Sequence, residues 1–211
     1  LAADQDGIDL EQNPDPQQIL KQRLMANLNK YISALWSVQH IHNCIDVLAG
    51  NGAIESFSSL PRLLRDSIVC ENWEGTHNTL RMQVLRDVLR YNQDEIFLSY
   101  MQTRLTRVSN KSIKSELHNY LNLTETLCKQ LRQANSRLQT YLIKEVLDVM
   151  SIGHLAMCLL EEGQDMLATM NDNLKLEALE IFMDKHIRKT TPRNDEGLNK
   201  FATLISKFND L

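Results

Sequence analysis

Glycine and proline are scarce, seven and four among 211 residues. A sandwich or barrel of many short strands needs more of both to punctuate its turns, so the chain leans towards long helices. Aromatic side chains make up only 6%, yet 43% of the residues are hydrophobic, enough to build a core and too many for a disordered chain. The four cysteines, Cys44, Cys70, Cys128 and Cys158, lie far apart without a CxxC pair. That spacing excludes a disulfide-stapled mini-protein and reads as small buried apolar residues in a reducing compartment, the cytoplasm or an organelle matrix. Long apolar runs are missing too. The best candidate, Val146 to Leu160, is interrupted by Asp148 and His154, so no transmembrane helix is expected. Nor is there an excess of basic charge: the net charge is -4, with -5 over residues 1–100 and +1 over 101–211. Neither half is a basic module, and nucleic acid is not an expected partner. The chain opens on Leu1 without a basic or apolar leader, which reads as a processed protein or a piece of a longer one.

What is present is helical periodicity. Residues 1–14 are polar and acidic and read as a flexible lead-in. Asp15, Pro16 and Gln18 form a capping box that opens a helix ending near Leu48, with Leu24, Leu28, Tyr31, Ile32, Leu35, Val38, His42 and Ile45 on one stripe. Ala49-Gly50-Asn51-Gly52 supplies a tight turn whose glycines permit positive φ and close approach. A short helix over Leu60–Asp66 precedes an irregular link, Ile68 to Asn78, and a strong helix begins near Thr76 with Leu80, Val84, Leu85, Val88 and Leu89. From Ser112 helix follows helix, with Gly163 as a C-cap, Asn173 as an N-cap and a last stripe through Leu198, Phe201, Leu204, Ile205 and Phe208. Short connections make this second region an antiparallel bundle.

Between Asp46 and Arg90 four elements follow in order: Asp46-Val47-Leu48-Ala49-Gly50-Asn51-Gly52, then Arg65-Asp66, then Trp73-Glu74-Gly75-Thr76, then Arg81 five residues after the Thr. Taken singly, each is ordinary; Glu74-Gly75-Thr76 alone is an acid placed before a helix dipole. Together they resemble the C-terminal helical domain of the acyl-CoA dehydrogenase family, over roughly residues 16–100. The expected fold is therefore all-α: residues 15–105 form the second half of such a four-helix-bundle domain, and 106–211 form an appended helical domain. An acid at position 46, the Ser59-Leu60-Pro61-Arg62-Leu63 run and the Trp before Glu74 look similar to the alkylation-response branch, whose members carry an extended helical C-terminus.

The resemblance implies that Glu74 is the base removing an α-proton from an acyl-CoA thioester while FAD accepts the β-hydride. It places Trp73, Glu74 and Gly75 against substrate, and Trp73, Thr76 and Asn78 against the flavin. It also sets Ala49, Gly50, Asn51 and Gly52 against the FAD of a neighbouring subunit, at the interface of a dimer or tetramer. An electron-transfer protein is the implied acceptor for the parent, and the compartment is the cytoplasm, or the mitochondrial matrix in a eukaryote. Two departures stand out. Asp46 replaces the family's usual Gln, an acid where a donor faces the phosphate side of FAD. Ala49 replaces the first glycine, which is tolerable only at negative φ. Since the family's N-terminal and β-domains have no counterpart here, the chain by itself is expected to be inactive. The alternatives are a non-catalytic member of the same branch that binds acyl-CoA, protein or DNA, and an acyl-CoA oxidase.

Other features read as packing. His40 and Cys44 share a helix face, but His42 points away and no third ligand is near, so no metal is expected. His77 reads as a surface or flavin-edge residue, while His118, His154 and His186 lie on helix faces. Met150, Met157, Met166, Met170 and Met183 are packing filler, and Arg188, Lys189 and Arg193 form a solvated turn.

Overall fold

The structure, a computed structural model, describes residues 5, 8–9, 15–191 and 195–209. Most of the expected lead-in, and Arg193, lie outside them, as does the side chain of Phe208. Among the described residues there is no strand: the chain is all-helical, as its composition requires. The elements are α1 (Pro16–Val47), a 3-10 turn (Ala49–Ala53), α2 (Leu60–Asn72), α3 (His77–Tyr91), α4 (Gln93–Thr106), α5 (Lys111–Gln133), α6 (Ser136–Met170), α7 (Leu174–Met183), a π-turn (Asp184–Arg188) and α8 (Asp195–Asn209). No helix among them is long and apolar enough to cross a membrane.

Local chemistry sets most boundaries. Asp15 caps α1, its Oδ1 accepting from the Gln17 N–H at 3.0 Å with Pro16 at the first helical position. Thr76 caps α3 through its Oγ1, which accepts from the Thr79 N–H at 3.4 Å. Two expected boundaries move. α2 runs to Asn72, so only Trp73–Thr76 remain of the irregular link. Asn92, at φ 53°, separates α3 from α4, an end the sequence leaves open. Gly163 does not end α6, which continues to Met170 and Asn171 at φ 54°. A Cβ on Gly163 would sit 2.8 Å from Leu176 Cδ2, so this glycine admits α7 rather than capping a helix. The cap before α7 also shifts by one residue: Asp172 Oδ1, not Asn173, accepts the Leu174 N–H at 2.8 Å.

The helices pack into two compact units, residues 1–97 with 126–148, and residues 98–125 with 149–211. In the first, Leu24, Met25, Leu28, Tyr31 and Ile32 of α1 are buried, as are Leu80, Val84, Leu85 and Val88 of α3, with Leu131, Ile143 and Leu147 from the later segment. Each such apolar side chain contributes about 1.5–3 kcal/mol of burial. Two carboxylates lie inside the same unit. Asp87, fully buried, stands 2.8 Å from Arg23 Nε. Asp94 accepts from Arg132, whose guanidinium also donates to the Val88 carbonyl at 3.1 Å and to Asn92 Oδ1 at 3.0 Å, fixing the α3–α4 corner.

The second unit is built on Ile113, Leu117 and Leu121 of α5, Met150, Met157 and Leu160 of α6, and Leu174, Leu179 and Met183 of α7. Met170, 72% exposed, is not packing filler. Nor is Arg188 a solvated turn residue, for it donates to Glu116 at 2.5 and 2.9 Å, to Glu180 at 2.8 Å and to Asp184 at 2.8 Å. The reading of four buried cysteines holds for Cys128 alone; Cys158 is half-buried, and Cys44 and Cys70 are exposed.

His154 is held neutral in this unit. Burial first, and the charge of Arg104 second, push its pKa down to about 4 from an ordinary 6.5. The unfolded chain takes up a proton near that ordinary value while the folded chain refuses it. Stability is therefore complete above the unfolded pKa and falls as pH drops towards the folded one, by up to about 3 kcal/mol. Urea midpoints followed across this range should fall more steeply for the native chain than for His154→Gln, and parallel curves would contradict the assignment.

Candidate functional site

The four motif elements lie within the first unit. α1 ends at Val47, and the chain turns at once into Ala49–Ala53. Gly52 is buried there because a Cβ would meet the Ile45 carbonyl oxygen at 2.4 Å; nothing but hydrogen fits. Gly50 has nothing within 4 Å of where its Cβ would be, and with Ala49 and Asn51 it is exposed. Close approach thus falls where the sequence suggests. Positive φ does not: it belongs to Ala49, at 51°, and to neither glycine of the turn. The expectation of negative φ at Ala49 is overturned, and a left-handed alanine costs about 1–2 kcal/mol.

At the other end of α2, Trp73 closes the helix with its N–H on the Val69 carbonyl at 2.8 Å. Glu74 follows at φ 61° and Gly75 at φ 113°, and the chain then enters the Thr76 cap. Gly75 adopts a conformation that only glycine takes readily, whereas Glu74 is strained by about as much as Ala49. Glu74 and Trp73 are exposed, the latter by 70%. Neither the Glu74 carboxylate nor its N–H meets a partner among the described residues. Two residues before the free N–H groups of a helix, the carboxylate is favoured by the α3 dipole. Between the glycine turn and this link stands the thirteen-residue α2, about 20 Å long.

Beneath the link the side chains are tightly tied. Asn78 accepts from Arg81 Nη1 at 2.8 Å, and Arg81 Nη2 donates to the Tyr31 hydroxyl at 3.1 Å. Tyr31 in turn donates to Asp148 Oδ1 at 2.7 Å, and Lys144 holds Oδ2 at 2.6 Å. Burial, reinforced by Asp148 against the pull of Arg81, pushes the Tyr31 pKa up to about 12, so the hydroxyl keeps its proton. His77 is not a surface residue. Its ring stands edge-on to Tyr31 at 5.4 Å, its Nδ1 lies 3.2 Å from Glu71, and burial lowers its pKa, leaving it neutral. A pocket of about 590 Å³ opens over Asn78, Arg81, Tyr141, Lys144 and Asp148. Of the remaining motif residues, Arg65 pairs with Glu55 at 2.5 Å, and Asp66 with Arg62 at 3.8 Å.

Sequence reasoning names Arg81 and Asn78 but misses Tyr31, Asp148 and Lys144. Tyr31 carries the signal of a hydroxyl on an apolar stripe, which needs a partner when buried; that the partner is Asp148, 117 positions away, is not readable from the sequence.

Residues 10–89 match the family model described as acyl-CoA dehydrogenase, C-terminal domain. No curated protein and no solved structure matches the chain. The resemblance drawn from the four elements thus holds over the segment that carries all of them.

The strain at the turn can be measured. Ala49→Gly should raise the unfolding free energy by about 0.5–1 kcal/mol, the relieved strain less the added unfolded-state entropy. Gly52→Ala should lower it by about 2 kcal/mol or more. Urea denaturation of both variants checks this; a destabilised Ala49→Gly would show that the turn is not left-handed.

Proposed function

We propose that this chain is part of a flavin-dependent acyl-CoA dehydrogenase-like protein in which Glu74 is the catalytic base. The observation that carries the reading is an exposed, partner-free carboxylate on a left-handed backbone, next to an obligatory glycine and a capped helix N-terminus. Strain of this kind survives where the surroundings over-determine it, which is most often at a site of function. An unpaired carboxylate is able to accept a carbon-bound proton from a substrate held against it with water excluded.

FAD, when bound, supplies the hydride acceptor. The chain's own residues then have separable tasks. The Glu74 carboxylate takes the α-proton while the hydride leaves the β-carbon, so that a carbon–carbon double bond forms. The unengaged Glu74 N–H donates to the thioester carbonyl as negative charge develops on its oxygen. Trp73 flanks the acyl or flavin pocket, and Thr76 and Asn78 lie towards the flavin at the start of α3.

The fit of the glycine turn to a flavin is supported by the open backbone at Gly50 and the exposed Asn51. Asp46 does not fit the phosphate side, since its exposed carboxylate would repel it. Ala49, Gly50, Asn51 and Gly52 would therefore meet the cofactor of a neighbouring subunit through backbone rather than through the Asp46 side chain. Val47 at 85%, Phe57 at 58% and Trp73 at 70% exposure flank these elements. Such exposure favours a site completed by further protein surface, so that the chain by itself is inactive.

Anaerobic titration of the flavin-loaded full-length parent with a panel of acyl-CoAs, followed by loss of oxidised-flavin absorbance, tests the reading. One chain length should bleach the flavin, and Glu74→Gln should slow bleaching on the order of a thousandfold. A parent that holds FAD but is bleached by no acyl-CoA would overturn it in favour of non-catalytic binding.

A further inference from the structure

The Glu74 link is held at both ends, and a side-chain contact spans it. On the α2 side, Lys30 of α1 donates to the Cys70 carbonyl, and Asn72 Nδ2 donates to the Ile68 carbonyl at 2.8 Å. On the α3 side, the Thr76 carbonyl accepts from the Leu80 N–H at 3.0 Å, and the Thr76 and Thr79 hydroxyls lie 3.1 Å apart. Glu71, in the last turn of α2, and His77, the first residue of α3, approach one another across Trp73–Thr76. Glu71 Oε1 lies 3.2 Å from His77 Nδ1, and the two side chains are largely covered, at 23% and 15% exposure.

The hydrogen in this pair can be assigned. His77 is neutral, because burial outweighs the pull of Glu71, and Arg81 and Lys30 oppose a further positive charge. A carboxylate only accepts, so the one ring hydrogen is on Nδ1, on the side of Glu71. Nε2 is then bare, which agrees with its burial without a partner. The ring stands edge-on to the buried Tyr31 at 5.4 Å, so the donor is fixed relative to the core of the unit.

We propose that Glu71 and His77 are positioning residues for the Glu74 carboxylate, a role that rests on Glu74 being the base. Neither is placed against substrate or flavin. Their contact closes a clasp over residues 72–76 and limits the backbone conformations open to them. Glu74, at φ 61°, would relax from its left-handed region in an open link and carry its carboxylate away with it. The clasp keeps it in place before the proton is taken.

The clasp is tested on the chain itself by glutamyl endopeptidase, which cuts after Glu74 when the link opens into an extended shape. Cleavage after Glu55, 66% exposed, is the internal reference. His77→Phe keeps a ring against Tyr31 without a donor, and cleavage after Glu74 relative to Glu55 should rise about tenfold. Glu71→Leu should act alike. His77→Asn, whose amide donates near the place of Nδ1, and Glu71→Gln, which still accepts, should stay within about twofold of the native chain. Each variant is checked for native helicity, and His77→Leu replaces a Phe variant that does not fold. In the flavin-loaded full-length parent, His77→Phe should slow the limiting rate of bleaching about tenfold at an unchanged acyl-CoA dissociation constant, and His77→Asn should restore it. Unchanged cleavage in a folded variant that lacks the donor overturns the proposal, as does a loosened link that bleaches at the native rate. A native parent bleached by no acyl-CoA overturns the role of Glu74 instead, and the cleavage ratio still decides whether the pair holds the link.

Discussion

One hydroxyl group holds together much of what matters in the first unit. Tyr31 is fully buried on α1, and its oxygen both donates to Asp148 of α6 and accepts from Arg81 of α3. Each of these bonds is worth only about 1 kcal/mol net, but a buried group that loses its partner forfeits its desolvation as well. The Arg81 fork then reaches Asn78 in the first turn of α3, directly after the Glu74–Gly75 link. A chain of hydrogen bonds therefore leads from the buried base of the unit to Asn78, four residues beyond the strained Glu74, whose own carboxylate it does not reach. The network is not fully satisfied, since Arg81 Nε and His77 Nε2 are buried without a hydrogen-bond partner.

Part of the backbone strain falls on the motif. Among the described residues, three that are neither glycine nor asparagine are left-handed, Ala49, Glu74 and Lys189, and the first two are motif residues. A chain selected for stability alone would carry glycine at either place. Elsewhere the left-handed residues Asn92 and Asn171 end helices in the ordinary way, with a residue type that tolerates the conformation. Lys189, at φ 53°, closes the π-turn, so a left-handed residue of an ordinary type also occurs outside the motif.

Much of this was legible before the fold. Asp15 and Thr76 announce their helices by cap chemistry, and apolar spacing marks the buried stripes of α1, through Leu24, Leu28, Tyr31 and Ile32, and of α3, through Leu80, Val84, Leu85 and Val88, although His42 and Leu89 are exposed. Other features are set by distant neighbours and have no local signal. Gly163 has the composition of a helix end but serves to admit Leu176. Arg188 sits in a basic run, yet Glu116, 72 positions away, draws it inward. The extension of α2 through Ile68 and Val69 was hidden because these β-branched residues stay 42% and 52% exposed and so lack the burial pattern that marks a helix face. Of the site, the motif side chains could be named from the sequence, whereas Tyr31 and Asp148, which hold them, could not.

Residues 10–89, which match the acyl-CoA dehydrogenase C-terminal domain, share their compact unit with the later segment 126–148 and depend on it to close a core. Leu131, Ile143 and Leu147 and the carboxylate of Asp148 all come from that segment. Thermal unfolding of residues 1–105 alone, followed by the near-ultraviolet circular dichroism of Trp36 and Trp73, tests this most directly. The fragment should be helical but loosely packed, with weak aromatic signal and no cooperative transition. A sharp transition near that of the whole chain would contradict it.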